Sequence, residues 1–367
     1  MSAHHPFGGS SLYRRYLCPG SYHAESGTSE LRDPAEAAAA QAGTNRHEMI
    51  AEYIQRGLDN GFDSLAFDFD DPDDERYLLR CLEVFKQEQD RLGDMVCEFL
   101  EHRIDSPYPD GAFGTADVVF VSPDKVSVID WKFWHEPPND AALAFQLSSY
   151  LVGLRALYGP NRSYRGIAYN PILDQITFVD LPDDAEQTIK AVVDTAMAKD
   201  AKLLPGVSQC RYCRAVGTCP AVERKADELA HTDIGGGALE ADKLAHLLDL
   251  AALADTHAKA VRALARKRLQ EGGEIPGYSL KPKNGERKAD VRDLYDKVAD
   301  HADEDEFFEA CSVSVAQVEK KLVKKWRDSE KAAKGELTVK GAKARFAKLT
   351  SSVVEQPKIQ ELRRVKR

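Results

Sequence analysis

The chain has 367 residues, 43% of them hydrophobic, enough for one large domain plus a smaller one or for two domains, and no apolar run approaches the roughly 18–20 residues of a transmembrane helix. The opening MSAHHPFGGSSLYRRYL lacks a signal-peptide core, so a cytoplasmic protein is expected, and seven unevenly spaced cysteines argue for metal or cluster ligation over a disulfide framework. The net charge of −10 is uneven: residues 321–367 hold 15 Lys and Arg against 5 Asp and Glu, so the first 320 residues carry about −20, and a basic tail on an acidic body predicts a nucleic-acid or acidic partner.

Cys18 stands alone, followed by Pro19-Gly20, and so belongs to a turn. Residues 35–58 are helical by composition, with Gly43-Thr44 predicted to break the run and Thr44 to cap a second helix. There His47, Ile50, Ala51 and Ile54 fall at i, i+3, i+4 and i+7, which puts His47 on the apolar face as a packed residue or a ligand. Glu48 and Glu52 flank it. Residues 59–75 are dense in aspartate without an EF-hand pattern and read as an exposed loop. A helix over 77–92 turns Leu78, Leu79, Leu82 and Phe85 inward, and a strand over 95–104 offers Glu98 and Glu101 as acidic candidates. Cys81 and Cys97 read as small hydrophobes.

Two β-branched runs, 118–121 and 126–129, flank Ser-Pro-Asp-Lys and predict a β-hairpin. With Pro123-Asp124 as the loop, paired residue numbers sum to 247, which sets Asp117 opposite Asp130 unless a bulge shifts the register. Asp130 and Lys132 share a strand face. Two facing carboxylates require either a raised pKa on one of them or a bound cation, and hard oxygen ligands suit Mg²⁺ or Mn²⁺. A lysine on the same face could orient a metal-bound water or stabilise charge on a phosphate. A solvated hairpin with scattered charges is the plainer reading of these residues taken alone.

A helix over 140–158 puts Gln146 and Tyr150 on one face near the hairpin. Strands at 163–169 and 175–179 and a helix over 183–202 follow. Cys210, Cys213 and Cys219 have C-x2-C-x5-C spacing, and Cys18 is the natural fourth thiolate for a [4Fe–4S] cluster or a Zn²⁺. A glycine break at 235–237 precedes a long amphipathic helix over 239–271. Residues 277–290 are turn-rich and basic, and helices are expected over 293–298 and 307–325. No P-loop and no tandem repeat occurs.

Taken in order, the set Gly43, Thr44, His47 and Glu52, then Gly114-Thr-Ala-Asp117, Ile129-Asp-Trp-Lys132, and Gln146 with Tyr150, resembles the RecB-like branch of the PD-(D/E)XK nuclease superfamily. The bracket of Cys18 with Cys210, Cys213 and Cys219 resembles its iron–sulfur subgroup. The resemblance runs from Cys18 to Cys219, about 55% of the chain; the region from about 239 onward is similar to the C-terminal half of phage and prophage proteins carrying this core. Ala116 stands where the superfamily's name has proline.

The resemblance implies an α/β, restriction-endonuclease-like mixed sheet flanked by helices, with a mainly helical C-terminal region. It implies a nuclease domain over 1–232 closed by a cysteine clasp; composition and periodicity give a glycine break and long helix over 233–275 and a basic, mainly helical region over 276–367. His47, Asp117 and Asp130 would hold Mg²⁺ or Mn²⁺, with the Trp131 carbonyl beside them; Lys132 would position water, and Gln146 and Tyr150 would contact DNA or brace the site. Cys18, Cys210, Cys213 and Cys219 would hold a [4Fe–4S] cluster, with Zn²⁺ as the alternative. The activity implied is a DNA exonuclease on single-stranded or frayed ends in phage or prophage recombination, with a recombinase or helicase as candidate partner. The rivals are a non-cleaving DNA-binding recombination scaffold that keeps the nuclease fold, and a zinc-clasped adaptor.

Overall fold

The computed structural model describes residues 5–28, 34–62, 72–93, 97–109, 111–136, 139–232 and 240–280, together with 322–323, 325–327, 329 and 338–350. The chain divides into two compact units, Met1–Lys281 and Pro282–Arg367. In the first, helices α1 (Gly9–Leu17), α2 (Ser21–Glu25), α3 (Pro34–Asn60) and α4 (Pro72–Leu92) precede strands β1 (Cys97–Asp105), β2 (Phe113–Val121) and β3 (Lys125–Trp131). Then come α5 (Asp140–Tyr158), β4 (Ser163–Asn170), β5 (Gln175–Asp180), α6 (Ala185–Met197), α7 (Val207–Cys210), α8 (Pro220–His231) and α9 (Ala241–Gln270). In the second unit a helix covers Val339–Thr350, and the Arg345 guanidinium lies 4.6 Å from the Trp326 ring centre. No helix among the described residues is long and apolar enough to cross a membrane.

The five strands form one mixed sheet in chain order. All neighbours are antiparallel except β3 and β4, which run parallel. A parallel pair needs a crossover, and α5 supplies it. Asn139 caps α5 by accepting from the amides of Ala141 (3.1 Å) and Ala142 (3.2 Å). Helix α5 is buried almost all round from Gln146 to Leu154, because Leu143, Leu147 and Leu151 pack on the sheet while Val152 faces α1 and α6. The opposite sheet face packs Phe120, Ile129 and Trp131 against Ile50, Ile54, Leu78 and Phe85 of α3 and α4. Both sheet faces are thus covered, and the first side chains beyond the C-terminal end of β3 lie where the two cores meet.

Helix α3 runs unbroken through Gly43-Thr44, against the expected break there. Thr44 does not cap a new helix; its hydroxyl donates to the Ala40 carbonyl one turn back (3.2 Å), which keeps it inside the existing one. Helix α6 stops at Met197 rather than near 202, and after a turn at 198–201 the chain passes Cys18, where Gly20 donates to the Lys202 carbonyl (2.9 Å). A Cβ on Gly20 would stand 2.7 Å from the Ala201 carbonyl oxygen, so the close approach needs glycine. Helix α9 packs on α7 and α8 and belongs to the first unit. Cys81 is fully buried in the α4 core. The acidic stretch 63–71, the glycines at 235–237, the side chain of Cys97, the basic stretch 281–290, the helix expected over 293–298 and most of that over 307–325 lie outside the described residues.

Candidate active site

The hairpin register is the expected one. Val118 pairs with Ile129 and Val121 with Val126, so residue numbers sum to 247. The ladder stops at Val118, and the next two residues, Asp117 and Asp130, face each other without backbone pairing. The Asp117 carboxylate takes over part of the ladder: the amide of Trp131 donates to its Oδ2 at 2.5 Å.

The partner on the other side was not in the expected ligand set. Strand β1 pairs with β2 through Leu100–Val118 and His102–Ala116, which leaves Glu101 opposite Asp117, again without a ladder bond. Glu101 has φ +46°, in the left-handed region that non-glycine residues rarely adopt. The consequence is a change of face. Leu100 and Val118 pack toward α3 and α4, whereas Ile104 and Ala116 pack toward α5, although alternate strand residues ordinarily share a side. The row Glu101, Asp117 and Asp130 therefore crosses three strands at the point where the pleat is broken. The sequence held a usable signal: once β1 is paired to β2, numbers summing to 218 set Glu101 against Asp117. The other acidic candidate, Glu98, accepts from Gln89 of α4 (2.6 Å), away from this row.

Helix α3 brings His47 to the same point. Its Nδ1 lies 2.6 Å from Asp117 Oδ1, and ligand atoms of His47, Glu101 and Asp117 lie within 4.8 Å of one another. Burial works against a charged imidazole, but Asp117, reinforced by Asp130, outweighs it and lifts the His47 pKa above its ordinary value. Glu101 is an exposed residue whose carboxyl is nevertheless pushed up to about 7, first by desolvation and then by the Asp117 charge. Burial, with Asp117 nearby, also raises Asp130, although Lys132 pulls in the other direction. Glu52 does not join the group; it pairs with Arg56 along the outside of α3.

Helix α5 completes the arrangement from the other face. Lys132 Nζ forms an ion pair with Asp130 Oδ2 and donates to Gln146 Oε1 at 3.0 Å. Gln146 Nε2 donates to Asp130 Oδ1 and to Tyr150 Oη, each at 3.0 Å. Both amide protons and the carbonyl of one buried glutamine are thus used in fixing Asp130, Lys132 and Tyr150. Burial and the Asp130 charge keep the Tyr150 hydroxyl protonated. Its ring lies against Gly114, where a Cβ would come within 2.4 Å of it, so the glycine of Gly114-Thr-Ala-Asp117 makes room for the tyrosine.

The four cysteines expected to act together line one small cavity with Leu203, Val216 and Val222. The Leu204 amide donates to Cys18 Sγ at 3.2 Å. No three of the sulfurs gather within 4.8 Å of one another. Burial pushes the Cys210 thiol up to about 11 and that of Cys213 up to about 12.

A family model described as "Protein of unknown function (DUF2800)" matches residues 4–361. The chain belongs to the DUF2800 family. Among solved structures, that of SSO0001 is 18% identical over 57% of this chain and 85% of the other, with a TM-score of 0.28.

Proposed function

We propose that this DUF2800 protein is a metal-dependent deoxyribonuclease of the RecB-like PD-(D/E)XK type, acting as an exonuclease on single-stranded or frayed ends in phage or prophage DNA processing. The observation that carries the reading is the convergence of Asp117, Asp130 and Lys132 from the hairpin with His47 from α3 and Gln146 and Tyr150 from α5.

The residues fit a divalent cation. Three carboxyl groups and an imidazole crowd a site where burial first, and the neighbouring Asp117 charge after it, raises two of the carboxyls, and a hard cation would offset both costs. His47, Asp117 and Asp130 would hold Mg²⁺ or Mn²⁺, with Glu101 within reach. When bound, such an ion neutralises charge on a scissile phosphodiester and acidifies its bound water. The protein's own groups do the rest. Lys132, held by Gln146 and Asp130, presents a fixed positive charge to oxygen atoms that gain charge in the transition state. Gln146 keeps Asp130 and Lys132 in register with each other, and Tyr150 holds Gln146.

At the cysteine cavity the thiol chemistry suits a metal cofactor. Four cysteine thiols around one cavity would suit a four-iron cluster, with zinc as the alternative. Either would join residue 18 to residues 210–219 and add to folding stability. The basic residues of 321–367 supply a charge that would attract the DNA backbone.

Labelled single- and double-stranded DNA incubated with Mg²⁺ or Mn²⁺ tests the proposal directly. Wild type is expected to cleave in a metal-dependent way, and Asp130→Ala and Lys132→Ala to lose about 10²–10³-fold or more in rate. Folded, metal-loaded wild type that leaves every end structure intact would overturn it.

A further inference from the structure

Tryptophan is seldom left in water. Trp131 follows that rule at 2% exposure, but Trp134, three residues on, is 38% exposed. It is also firmly placed. The Lys132 amide donates to the Tyr169 carbonyl (2.8 Å), and the Trp134 carbonyl accepts from Asn170 Nδ2 (2.9 Å). Asn170 is itself 2% exposed and fixed through its Oδ1 by the amides of Ile172 (3.0 Å) and Leu173 (3.3 Å). The extension of β3 thus carries an indole on a rigid support beside the candidate active site. Lys132 Nζ lies 5.3 Å from the centre of that ring. Phe133 points elsewhere, its ring edge-on to His47 at 5.3 Å.

A solvent-facing aromatic ring fixed next to a site for a phosphate has a natural occupant. Lys132 lies at one side of the indole, and 38% of the residue stays accessible to solvent. A strand whose phosphate sits at Lys132 carries a base on the neighbouring sugar, and an aromatic plane is where such a base comes to rest. Bases inside a duplex are already stacked on both faces, so only an unpaired nucleotide can use it. We infer that Trp134 is a stacking platform for an unpaired nucleobase of the strand held at Lys132, and that it gives the site its preference for single-stranded over intact duplex DNA. The inference rests on the nuclease reading and deepens it. Stacking on a side chain is worth about 1–3 kcal/mol per base and tolerates any sequence, so no base preference accompanies it.

Full-length Trp134→Ala and Trp134→Phe proteins test this. With an oligothymidylate in Mg²⁺, Trp134→Ala is expected to raise KM about tenfold with kcat retained, and Trp134→Phe to recover most of the loss. In Ca²⁺, the oligothymidylate is expected to quench wild-type tryptophan fluorescence, and Trp134→Phe to abolish the quenching. Wild type that cleaves while Trp134→Ala leaves KM unchanged, or slows single-stranded and blunt duplex substrates alike, overturns the platform and leaves the nuclease standing. Quenching through Trp134 in a wild type that cuts no DNA overturns the nuclease and supports the platform.

Discussion

The carboxylate row and the cysteine cavity both gather titratable groups from distant parts of the chain, yet they solve opposite problems. In the row, charge is present and compensated at once: His47 sits on Asp117, Lys132 on Asp130, and Gln146 ties the second pair to α5. In the cavity the thiols lie among aliphatic side chains, and burial disfavours the charged form of Cys18, Cys210 and Cys213. The charge that holds that end together lies beside the sulfurs. Glu25 pairs with Arg15 (2.7 Å) and Arg14 (3.4 Å) and accepts from the Arg214 amide (2.9 Å), next to Cys213. The first region is a folded site in which a cation would replace protons. The second is a seam between chain segments about two hundred residues apart, held by one buried ion network.

The comparison breaks most readily at Glu25. The Glu25→Ala variant leaves Arg15, whose side chain is 1% exposed, without its carboxylate, and should cost about 3–5 kcal/mol in denaturant unfolding. A loss near zero would mean that the seam does not depend on the network. The pH dependence has a definite sign. Burial opposes a charged Glu25, but Arg14 and Arg15 outweigh it and hold its pKa below the ordinary value near 4.5. The stabilisation is therefore present above pH of about 4.5 and is lost as the pH falls through the lower folded value; Glu25→Gln should flatten that acid limb.

The next effect concerns the thiols. In metal-free protein at pH 8, Cys210 should alkylate about a hundredfold more slowly than an unburied thiol, because a pKa of about 11 leaves little thiolate. Mass spectrometry after timed labelling reads this out, and fast labelling would show that the cavity opens.

The smallest effect lies in the carboxylate row. A Glu101 carboxyl raised to about 7 binds its proton more tightly folded than unfolded, so stability falls as pH rises from about 4.5 to 7. Because the residue is exposed, the linkage is discounted for solvent screening to about 1 kcal/mol. In metal-free protein Glu101→Gln should be more stable than wild type by that amount at pH 8 and equal to it at pH 4. Equal stability at both values would show that neither burial nor the Asp117 charge raises the Glu101 carboxyl.

Much of the site was legible because its parts are local. The Ser122-Pro-Asp-Lys125 turn set the hairpin register, and that register placed Asp117 against Asp130 and Lys132 on the side of Asp130. The helical spacing of Gln146 and Tyr150 set their shared face. Glu101 was harder to find, since its place depends on a positive φ and a change of strand face that the alternation of MVCEFLEHRI does not announce. The continuity of α3 was missed because a threonine in a helix interior can satisfy its hydroxyl on the preceding turn instead of capping.

By itself the sequence determined the helices and strands with strong periodicity, the hairpin pairing and the cysteine spacing, because each depends on contacts within a few residues or across one tight turn. Only the tertiary structure decided that Glu101 completes the row and that Trp134 keeps 38% of its surface in solvent while Trp131 is buried; it also brings His47 to Asp117 across 70 residues and Cys18 to the cavity of Cys210, Cys213 and Cys219, groupings the sequence had offered as expectations. Those outcomes depend on how helices pack over the two faces of the sheet, and packing is a property of the whole assembled core.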